Sequence, residues 1–333
     1  MAKRRLTAQQ KRRIRAKQAR QQQNADTNAA DMLHEESASL GPELAGTVVA
    51  NYGAQADIEA QDGTITRCHL RANLEPLVTG DKITWQSGET TGVVVAVNER
   101  TSELCRPDNR GDLRPVAANI DRIVLVFAPK PEPHANLIDR YLVAAETQGI
   151  DTLLLLNKAD LLDDEDTLIG LLDSYQQLGY DTLVVSAKNA DSVAPLAQYL
   201  KPFTSVFVGQ SGVGKSSLLN TLAPDISVAV GELSEARDKG THTTTTSRLF
   251  HLPDGGDVID SPGIREFGLW HMAPENVAHG FIEFRPFLGL CKFRDCQHRQ
   301  EPGCAINTAV AEGRISQQRI DSYWLIVNSL ISK

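Results

Sequence analysis

The order of four loop motifs along the chain restricts its fold more than any other feature. An Asn-Lys-Ala-Asp motif occupies residues 157–160, and a Ser-Ala-Lys motif occupies residues 186–188. A glycine-rich loop follows at residues 209–216, and an Asp-Ser-Pro-Gly motif comes last at residues 260–263. Each motif comes after an apolar run that is typical of a buried β-strand. In an ordinary P-loop protein the glycine-rich loop comes first, so this order predicts a circularly permuted fold.

Strands and helices alternate through the region that contains these motifs. The run at residues 122–127 is apolar on both faces, as expected for a strand buried between two layers of helices. The alternation predicts a parallel α/β sheet that binds its ligand at the carboxyl ends of its strands. Further strands are predicted at residues 152–156, 182–185, 205–208 and 256–259, and helices at residues 137–148, 168–178 and 216–222.

The region before this sheet has a different texture, with short β-branched runs separated by turns. Residues 47–50 and 92–97 are typical of strands, and Asp62-Gly63 is a hairpin signal. About five strands in roughly sixty residues fit a small barrel, and an OB-fold is the leading prediction. An SH3-like barrel and a small sandwich are the alternatives, because composition alone does not separate them.

The pattern loses its strands after about Phe267. A helix is predicted at residues 274–281, and a second helix at residues 315–331. The second helix is expected to bury one apolar stripe against the rest of the protein. The predicted members of this stripe are Leu325, Ile326, Leu330 and Ile331.

Four metal-ligating side chains cluster between these two helices. Three thiols and one imidazole within fourteen residues form a closed Cys₃His set, which is typical of a structural zinc site with no open position for catalysis. The predicted ligands are Cys291, Cys296, His298 and Cys304. Cys68 and Cys105 stand apart from the cluster and are predicted to be small core residues. His69 and His251 are given no role.

The glycine-rich loop predicts a phosphate-binding site. Gly209, Gly214, Lys215 and Ser216 occupy every fixed position of the P-loop pattern between a strand and a helix. The backbone N–H groups of such a loop surround phosphate oxygens, Lys215 is expected to reach the β- and γ-phosphates, and the Ser216 hydroxyl is expected to bind Mg²⁺.

The Asp-Ser-Pro-Gly motif adds two further groups at a strand end. Asp260 is suited to hold Mg²⁺ through water, and the Gly263 N–H is placed to sense the γ-phosphate. A motif this short is usually only a turn, and it gains weight from its position after a P-loop.

The Asn-Lys-Ala-Asp motif predicts that the base is guanine. Guanine presents two adjacent donors, N1–H and N2–H₂, and the Asp160 carboxylate can accept both of them. Lys158 can pack its stem over the base, and Asn157 can tie this loop to the P-loop. The Ala187 N–H, in the following Ser-Ala-Lys loop, could donate to guanine O6.

A threonine-rich run at residues 240–246 fits the switch segment that closes on Mg²⁺ and the γ-phosphate. Ile264 stands where Ras places the glutamine that orients the attacking water, so intrinsic hydrolysis is expected to be slow. His242 is the only titratable side chain within the run, and we expect it to position or deprotonate that water. A solvent-exposed switch histidine is the alternative.

The charge of the chain is strongly segregated. Residues 1–23 hold nine Lys or Arg side chains and no acidic one, whereas the other residues hold 25 basic and 42 acidic side chains. A basic arm on an acidic body suggests a polyanionic partner such as RNA, the alternative being a solvated tail. No apolar run is long enough to span a bilayer, and no signal peptide follows the basic start. We therefore expect a cytoplasmic protein without a membrane partner.

The motifs and their order resemble one family closely, the ribosome small subunit-dependent GTPases known as RsgA or YjeQ. The resemblance rests on NKAD, VSAK, GQSGVGKSS, GTHTTT, DSPGIREFG and the Cys/His cluster, and it covers essentially the whole chain after the basic tail. It implies an OB-fold domain, a circularly permuted GTPase domain and a zinc-binding domain. It also implies binding to the small ribosomal subunit and its rRNA, a role in late subunit maturation, and GTP hydrolysis stimulated by that subunit.

The resemblance assigns roles to individual residues. Thr244 becomes the switch threonine and a Mg²⁺ ligand beside Ser216. The base is bound by Asn157, Lys158, Ala159 and Asp160, and Ser186, Ala187 and Lys188 are further nucleotide-binding residues. The phosphates and Mg²⁺ are held by Gly209, Gln210, Ser211, Gly212, Val213, Gly214, Lys215, Ser216 and Ser217.

The sequence as a whole predicts four segments and a defined set of cofactors. The segments are a disordered basic tail (1–43), an OB-fold domain (44–108), a permuted GTPase domain (109–268) and a mostly helical zinc-binding domain (269–333). GTP or GDP, Mg²⁺ and one structural Zn²⁺ are the expected cofactors, and a monomer is the expected state. The alternative function is an RNA-binding zinc protein in which GTP is only a structural clip. Lys215, Ser216 and Asp260 favour the enzyme, because a clip needs no Mg²⁺ sensor.

Overall fold

The structure is a computed structural model, and it describes residues 40–71, 74–107, 112–133, 136–163, 167–224, 247–260 and 272–331. The predicted basic tail, apart from its last residues, lies outside this part of the chain, as do the threonine-rich run and residues 261–271. Among the described helices, none combines the length and the apolar character that crossing a membrane requires.

The first five strands form a closed barrel. Strand β1 pairs antiparallel with both β2 and β4, while β3 pairs in parallel with β5, so the sheet closes on itself. This connectivity confirms the OB-like barrel over the SH3-like and sandwich alternatives. The fully buried Cys68 lies in its core, as predicted. The strands are β1 (Glu43–Asn51), β2 (Gln55–Ala60), β3 (Ile65–Leu70), β4 (Lys82–Gln86) and β5 (Gly92–Val97).

A two-stranded hairpin that the sequence did not predict follows the barrel. Strands β6 (Glu103–Pro107) and β7 (Leu113–Ala118) pair antiparallel across the predicted boundary at residue 108, which itself stays a prediction. Cys105 lies in β6 and is only half-buried, so its assignment to the core was wrong.

The predicted parallel sheet is present. Its strand order is β10-β9-β8-β11-β13-β12, and all neighbours are parallel except β12, which is antiparallel to β13. The elements are β8 (Arg122–Phe127), α1 (Leu137–Gln148), β9 (Asp151–Leu156), α2 (Leu168–Gln177), β10 (Asp181–Val184), α3 (Ala190–Leu200), β11 (Thr204–Val208), α4 (Lys215–Leu222), β12 (Arg248–His251) and β13 (Asp257–Asp260). Strand β12 was not predicted, because four residues with one buried side chain give no periodic signal.

Strand β12 also joins the sheet to the barrel. It pairs with β1 through Ala50 and Arg248, so that one sheet of eleven strands runs through both domains. The His251 ring lies at the same junction, with Nδ1 2.6 Å from an Asp257 oxygen and Nε2 2.8 Å from Glu59 of the barrel. The expectation that His251 has no role was wrong, because its ring connects the two domains.

The C-terminal region is helical, as predicted, with two differences. The segment predicted as a helix over 274–281 is a 3₁₀-helix, Pro274–Gly280, and a second 3₁₀-helix (Ile282–Phe287) follows before α5 (Ala305–Ala311) and α6 (Gln317–Ile331). Leu325 and Ile331 are 53% and 60% exposed, so the predicted stripe of α6 was wrong at these two positions. The helix instead buries Arg319, Ile320, Ser322, Tyr323, Ile326 and Val327.

A cluster of charged groups is buried where the C-terminal helices meet α1. The Arg319 guanidinium donates to Asp139 of α1 and, at 2.6 Å, to Glu283. Tyr175 of α2 donates its hydroxyl to the same Asp139 carboxylate at 2.5 Å. Burial alone would lower the pKa of Arg319, but the hydrogen bond to Glu283 and the charge of Asp139 raise it above its ordinary value. Arg319 therefore stays charged, and its pair with Asp139 ties the C-terminal region to α1.

We expect Arg319→Met to lower the free energy of unfolding by about 3–5 kcal/mol, because it leaves two carboxylates buried without their counter-ion. Urea denaturation of the parent and the variant measures this difference. Arg285→Met is the matched control, since Arg285 also reaches α1, at Glu146, but in a more exposed pair. The control should lose at most about 1 kcal/mol. Equal losses in the two variants would contradict a role for the buried cluster.

Candidate functional site

The loops that the sequence singled out meet at one end of the parallel sheet. Residues 157–160 follow β9, residues 186–188 follow β10, and residues 209–214 follow β11, the strand that lies on the other side of β8 from β9. Asp260 is the last residue of β13, the next strand beyond β11. Because neighbouring parallel strands end at the same edge, loops far apart in sequence form a single site.

Asn157 is the centre of this site and is fully buried. Its amide nitrogen donates to the Val213 carbonyl in the P-loop at 2.8 Å, and its amide oxygen accepts from the Ala187 N–H at 3.1 Å. Its own backbone N–H donates to the Phe127 carbonyl at the end of β8. The predicted tie between this loop and the P-loop is thus present, and it extends to the Ser-Ala-Lys loop as well. The Ala187 amide, predicted to reach guanine O6, bonds to Asn157 here.

Asp160 is held in place by the neighbouring loop. The Ser186 hydroxyl donates to one of its carboxylate oxygens at 2.6 Å, and the Lys188 ammonium donates to the other at 2.7 Å. The hydrogen bonds from Lys188 and Ser186 lower the pKa of Asp160 below its ordinary value. The carboxylate is therefore ionised at neutral pH. Each oxygen retains a second lone pair with which it can accept from a ligand.

Lys158 links the base loop, residues 157–160, to two other segments. Its backbone is left-handed, with φ 60°, and its ammonium donates to the carbonyls of Gly212 and Lys130 at 2.6 Å each. Lys130 belongs to the connection between β8 and α1, so this connection forms one wall of the site. The predicted stacking of the Lys158 stem on a base stays a prediction.

Two glycines of the P-loop are required by its close contacts. Gly209 has φ 134°, and a Cβ atom there would lie 2.1 Å from the Val126 carbonyl oxygen. Gly214 has φ 96°, and a Cβ atom there would lie 2.4 Å from the Asn157 amide nitrogen. A larger residue at either position would push the loop away from β8 or from Asn157. The glycines thus allow the phosphate loop to approach the base loop.

Lys215 and the helix that follows it complete the phosphate loop. Helix α4 begins at Lys215, whose ammonium donates to the Gly209 and Gln210 carbonyls at 2.7 Å each. Ser216 is half-buried next to it, and Ser217 is exposed. The N–H groups of the first helical turn point out of the helix at its positive end, which favours an anion.

One contact of the site gave no signal in the sequence. The Thr221 hydroxyl, in α4, donates to the Ala187 carbonyl at 3.0 Å and so fixes the Ser-Ala-Lys loop to the P-loop helix.

Asp260 ends β13 at the predicted place, opposite Arg248 of β12. Gly263, His242 and Thr244 lie outside the described residues, and their roles stay predictions.

The four predicted zinc ligands come together in the C-terminal region. The ligand atoms of Cys291, Cys296, His298 and Cys304 all lie within 4.8 Å of one another. Nδ1 of His298 is 3.5 Å from the sulfurs of both Cys291 and Cys304, which are 4.0 Å apart. A tetrahedral zinc ion requires about 3.5 Å between nitrogen and sulfur and about 3.8 Å between two sulfurs. The donor set and its spacing therefore fit a closed structural zinc site.

Comparison with known proteins agrees with this geometry. The sequence model of the RsgA GTPase family matches residues 97–270. A relative from Pseudomonas putida F1, named small ribosomal subunit biogenesis GTPase RsgA, is 56% identical over 99% of this chain and 98% of its own length. A protein of the same name from Azotobacter vinelandii is also 56% identical, with the same coverage of each chain.

Solved structures show the same architecture. The crystal structure of YjeQ from Thermotoga maritima matches with a TM-score of 0.73 and 32% identity, over 88% of this chain and all of that one. YloQ, described as a circularly permuted GTPase, matches with a TM-score of 0.70 and 30% identity, over 87% of this chain and 96% of its own. The permuted loop order, the shared fold and the near full-length identity show together that this chain belongs to the RsgA family of circularly permuted GTPases.

Proposed function

We propose that this protein hydrolyses GTP in a reaction that the small ribosomal subunit stimulates, and that it acts in the maturation of that subunit. The observation that carries the proposal is the buried Asn157 side chain, which holds the base loop, the Ser-Ala-Lys loop and the P-loop together. The names of the relatives supply the ribosomal partner. We further propose that rRNA is the polyanion that meets the basic arm, and that the protein works as a cytoplasmic monomer.

The described residues support a division of roles within the site. The ionised Asp160 accepts from the two guanine donors, since a carboxylate selects guanine over adenine at this position. The P-loop amides and the Lys215 ammonium bind the phosphates. Ser216, Thr244 and Asp260 would hold Mg²⁺, which would neutralise negative charge on the phosphates. Lys215 then contributes to catalysis by stabilising the charge that develops on the transferred phosphoryl group.

Hydrolysis also needs a group that orients water. Ile264 follows the Asp-Ser-Pro-Gly motif and carries no hydrogen-bonding side chain. We propose that His242 supplies this function, with Thr244 closing on Mg²⁺. The small subunit would hold the segment in place. Hydrolysis would accordingly be slow in the free protein and fast on the subunit.

The decisive experiment measures GTP turnover with and without purified small subunits. We expect clear stimulation of the parent protein, and we expect His242→Ala to lower the stimulated rate roughly 10²-fold, the usual size of a general-base contribution. GTP binding and subunit binding should stay nearly intact. A parent protein that small subunits do not stimulate would favour GTP as a structural clip. If small subunits stimulate the His242→Ala variant as strongly as the parent, then another group orients the attacking water.

Asp160→Asn should lower the affinity for GTP by about 1–3 kcal/mol, the range for a hydrogen bond to a charged group. The same variant should gain relative affinity for XTP, whose C2 carbonyl suits the amide donor. Competition binding with GTP, XTP and ATP measures both changes. Asp163→Asn is a suitable control, because Asp163 lies outside the base loop and is exposed. Equal competition by GTP and ATP against the parent would contradict guanine specificity.

One zinc ion per chain is expected in the purified protein, and elemental analysis measures it. Cys304→Ser should lose the zinc and expose mainly the segment after about Phe267 to proteolysis, because the ion would connect three parts of that segment. Cys68→Ala and Cys105→Ala are the matched controls and should keep the zinc, since both thiols lie outside the cluster. A zinc-free parent whose C-terminal region resists proteolysis would contradict the site.

A further inference from the structure

A buried side chain of the barrel domain forms a hydrogen bond to the residue just before strand β12. The Thr79 hydroxyl donates to the Ser247 carbonyl at 3.0 Å, and Thr79 is only 1% exposed. Ser247 directly precedes β12 and directly follows the threonine-rich run in the chain. The bond therefore joins the barrel domain to the first described residue after that run.

Thr79 itself belongs to a rigid turn. Its carbonyl accepts from the Ala118 N–H at 3.0 Å, and the next residue, Gly80, donates to the Val48 carbonyl of β1 at 2.8 Å. A Cβ atom at Gly80 would lie 2.2 Å from the Ala118 carbonyl oxygen, so the turn fits closely against β7. The turn is thus fixed from the barrel on one side and from the hairpin on the other.

A buried ion pair between Asp81 and Arg100 also fixes this turn. Asp81 is fully buried and accepts from the Arg100 guanidinium at 2.7 and 2.9 Å, through both carboxylate oxygens. One of these oxygens also accepts from the Val78 N–H at 2.8 Å. A bidentate pair of this kind leaves the turn little freedom. Any displacement of the barrel must therefore displace the Thr79 hydroxyl with it.

The other end of the connection is the nucleotide site. Strand β12 pairs along its whole length with β13, and Arg248 lies opposite Asp260, the proposed Mg²⁺ acid. Two further contacts reach β12 from the barrel, the pairing of Ala50 with Arg248 and the exposed contact of Glu59 with His251. Strand β12 and the residue before it are thus attached to the barrel at three places, Ser247, Arg248 and His251.

We propose that Thr79 is a positioning residue for GTP hydrolysis, which transmits the placement of the barrel to β12 through its bond to Ser247. A subunit that binds the barrel would fix Ser247 and β12, and with them the neighbouring strand β13, which ends at Asp260. The inference rests on the proposed subunit-stimulated hydrolysis. It adds that the barrel is a route of stimulation as well as a binding domain.

The test compares Thr79→Val, which removes the hydroxyl but keeps the volume, with Thr79→Ser, which keeps the hydroxyl. GTP turnover is measured over a range of small-subunit concentrations. Thr79→Val should lower the stimulated kcat about tenfold, the size of one lost hydrogen bond. The half-saturating subunit concentration and the GTP affinity should stay within about twofold of the parent, because the bond touches neither binding site. Thr79→Ser should restore most of the rate.

Two further variants define the result. Thr47→Val removes a barrel hydroxyl that accepts from Lys82 and does not touch β12, so it should behave as the parent. Glu59→Gln weakens the exposed tie and should lower kcat less than about threefold.

A Thr79→Val variant that is stimulated as strongly as the parent would overturn the inference alone. A variant that loses subunit binding to the same degree as turnover would also overturn it, in favour of general damage to the barrel. A parent without any stimulation would instead overturn the proposed function.

Discussion

The buried Asn157 side chain is the interaction on which the nucleotide site depends. Its amide satisfies a P-loop carbonyl on one side and an amide of the Ser-Ala-Lys loop on the other. The Val213 carbonyl is buried and the Ala187 N–H is partly buried, and each would lose a hydrogen bond without it. The site therefore depends on contacts between loops and not on their order along the chain. A circular permutation preserves those contacts, because it changes only which strand ends are connected.

The permutation does change what is attached to the sheet. The barrel precedes β8 and contacts the sheet through β12, by backbone pairing and the Thr79 and Glu59 bonds. The C-terminal region follows β13 in the chain and packs against α1 through the buried pair of Arg319 with Asp139. The two attachments thus differ in chemistry. The barrel is joined at the strand beside the proposed Mg²⁺ acid, and the zinc region is joined to a helix on one face.

The sequence predicted those features that depend on local pattern. Apolar runs ending in charged or glycine-rich loops gave the strands of the parallel sheet, and ligand spacing gave the Cys₃His cluster. Features that depend on distant partners were missed. Strand β12 is too short to show periodicity, and Thr79 and His251 acquire their contacts only when the barrel meets the sheet. The exposed Leu325 shows the same limit, because hydrophobicity alone does not say which face of α6 finds a partner.

Hydrogen–deuterium exchange with and without a non-hydrolysable GTP analogue tests the central claim most directly, that separate loops form one guanine-nucleotide site. The account predicts slower exchange in three peptides together, covering residues 157–160, 186–188 and 209–217, at the same analogue concentration. The ATP analogue should produce none of these changes at that concentration. Protection confined to residues 209–217, and equal for the two analogues, would show a phosphate loop without a guanine site and would contradict the account.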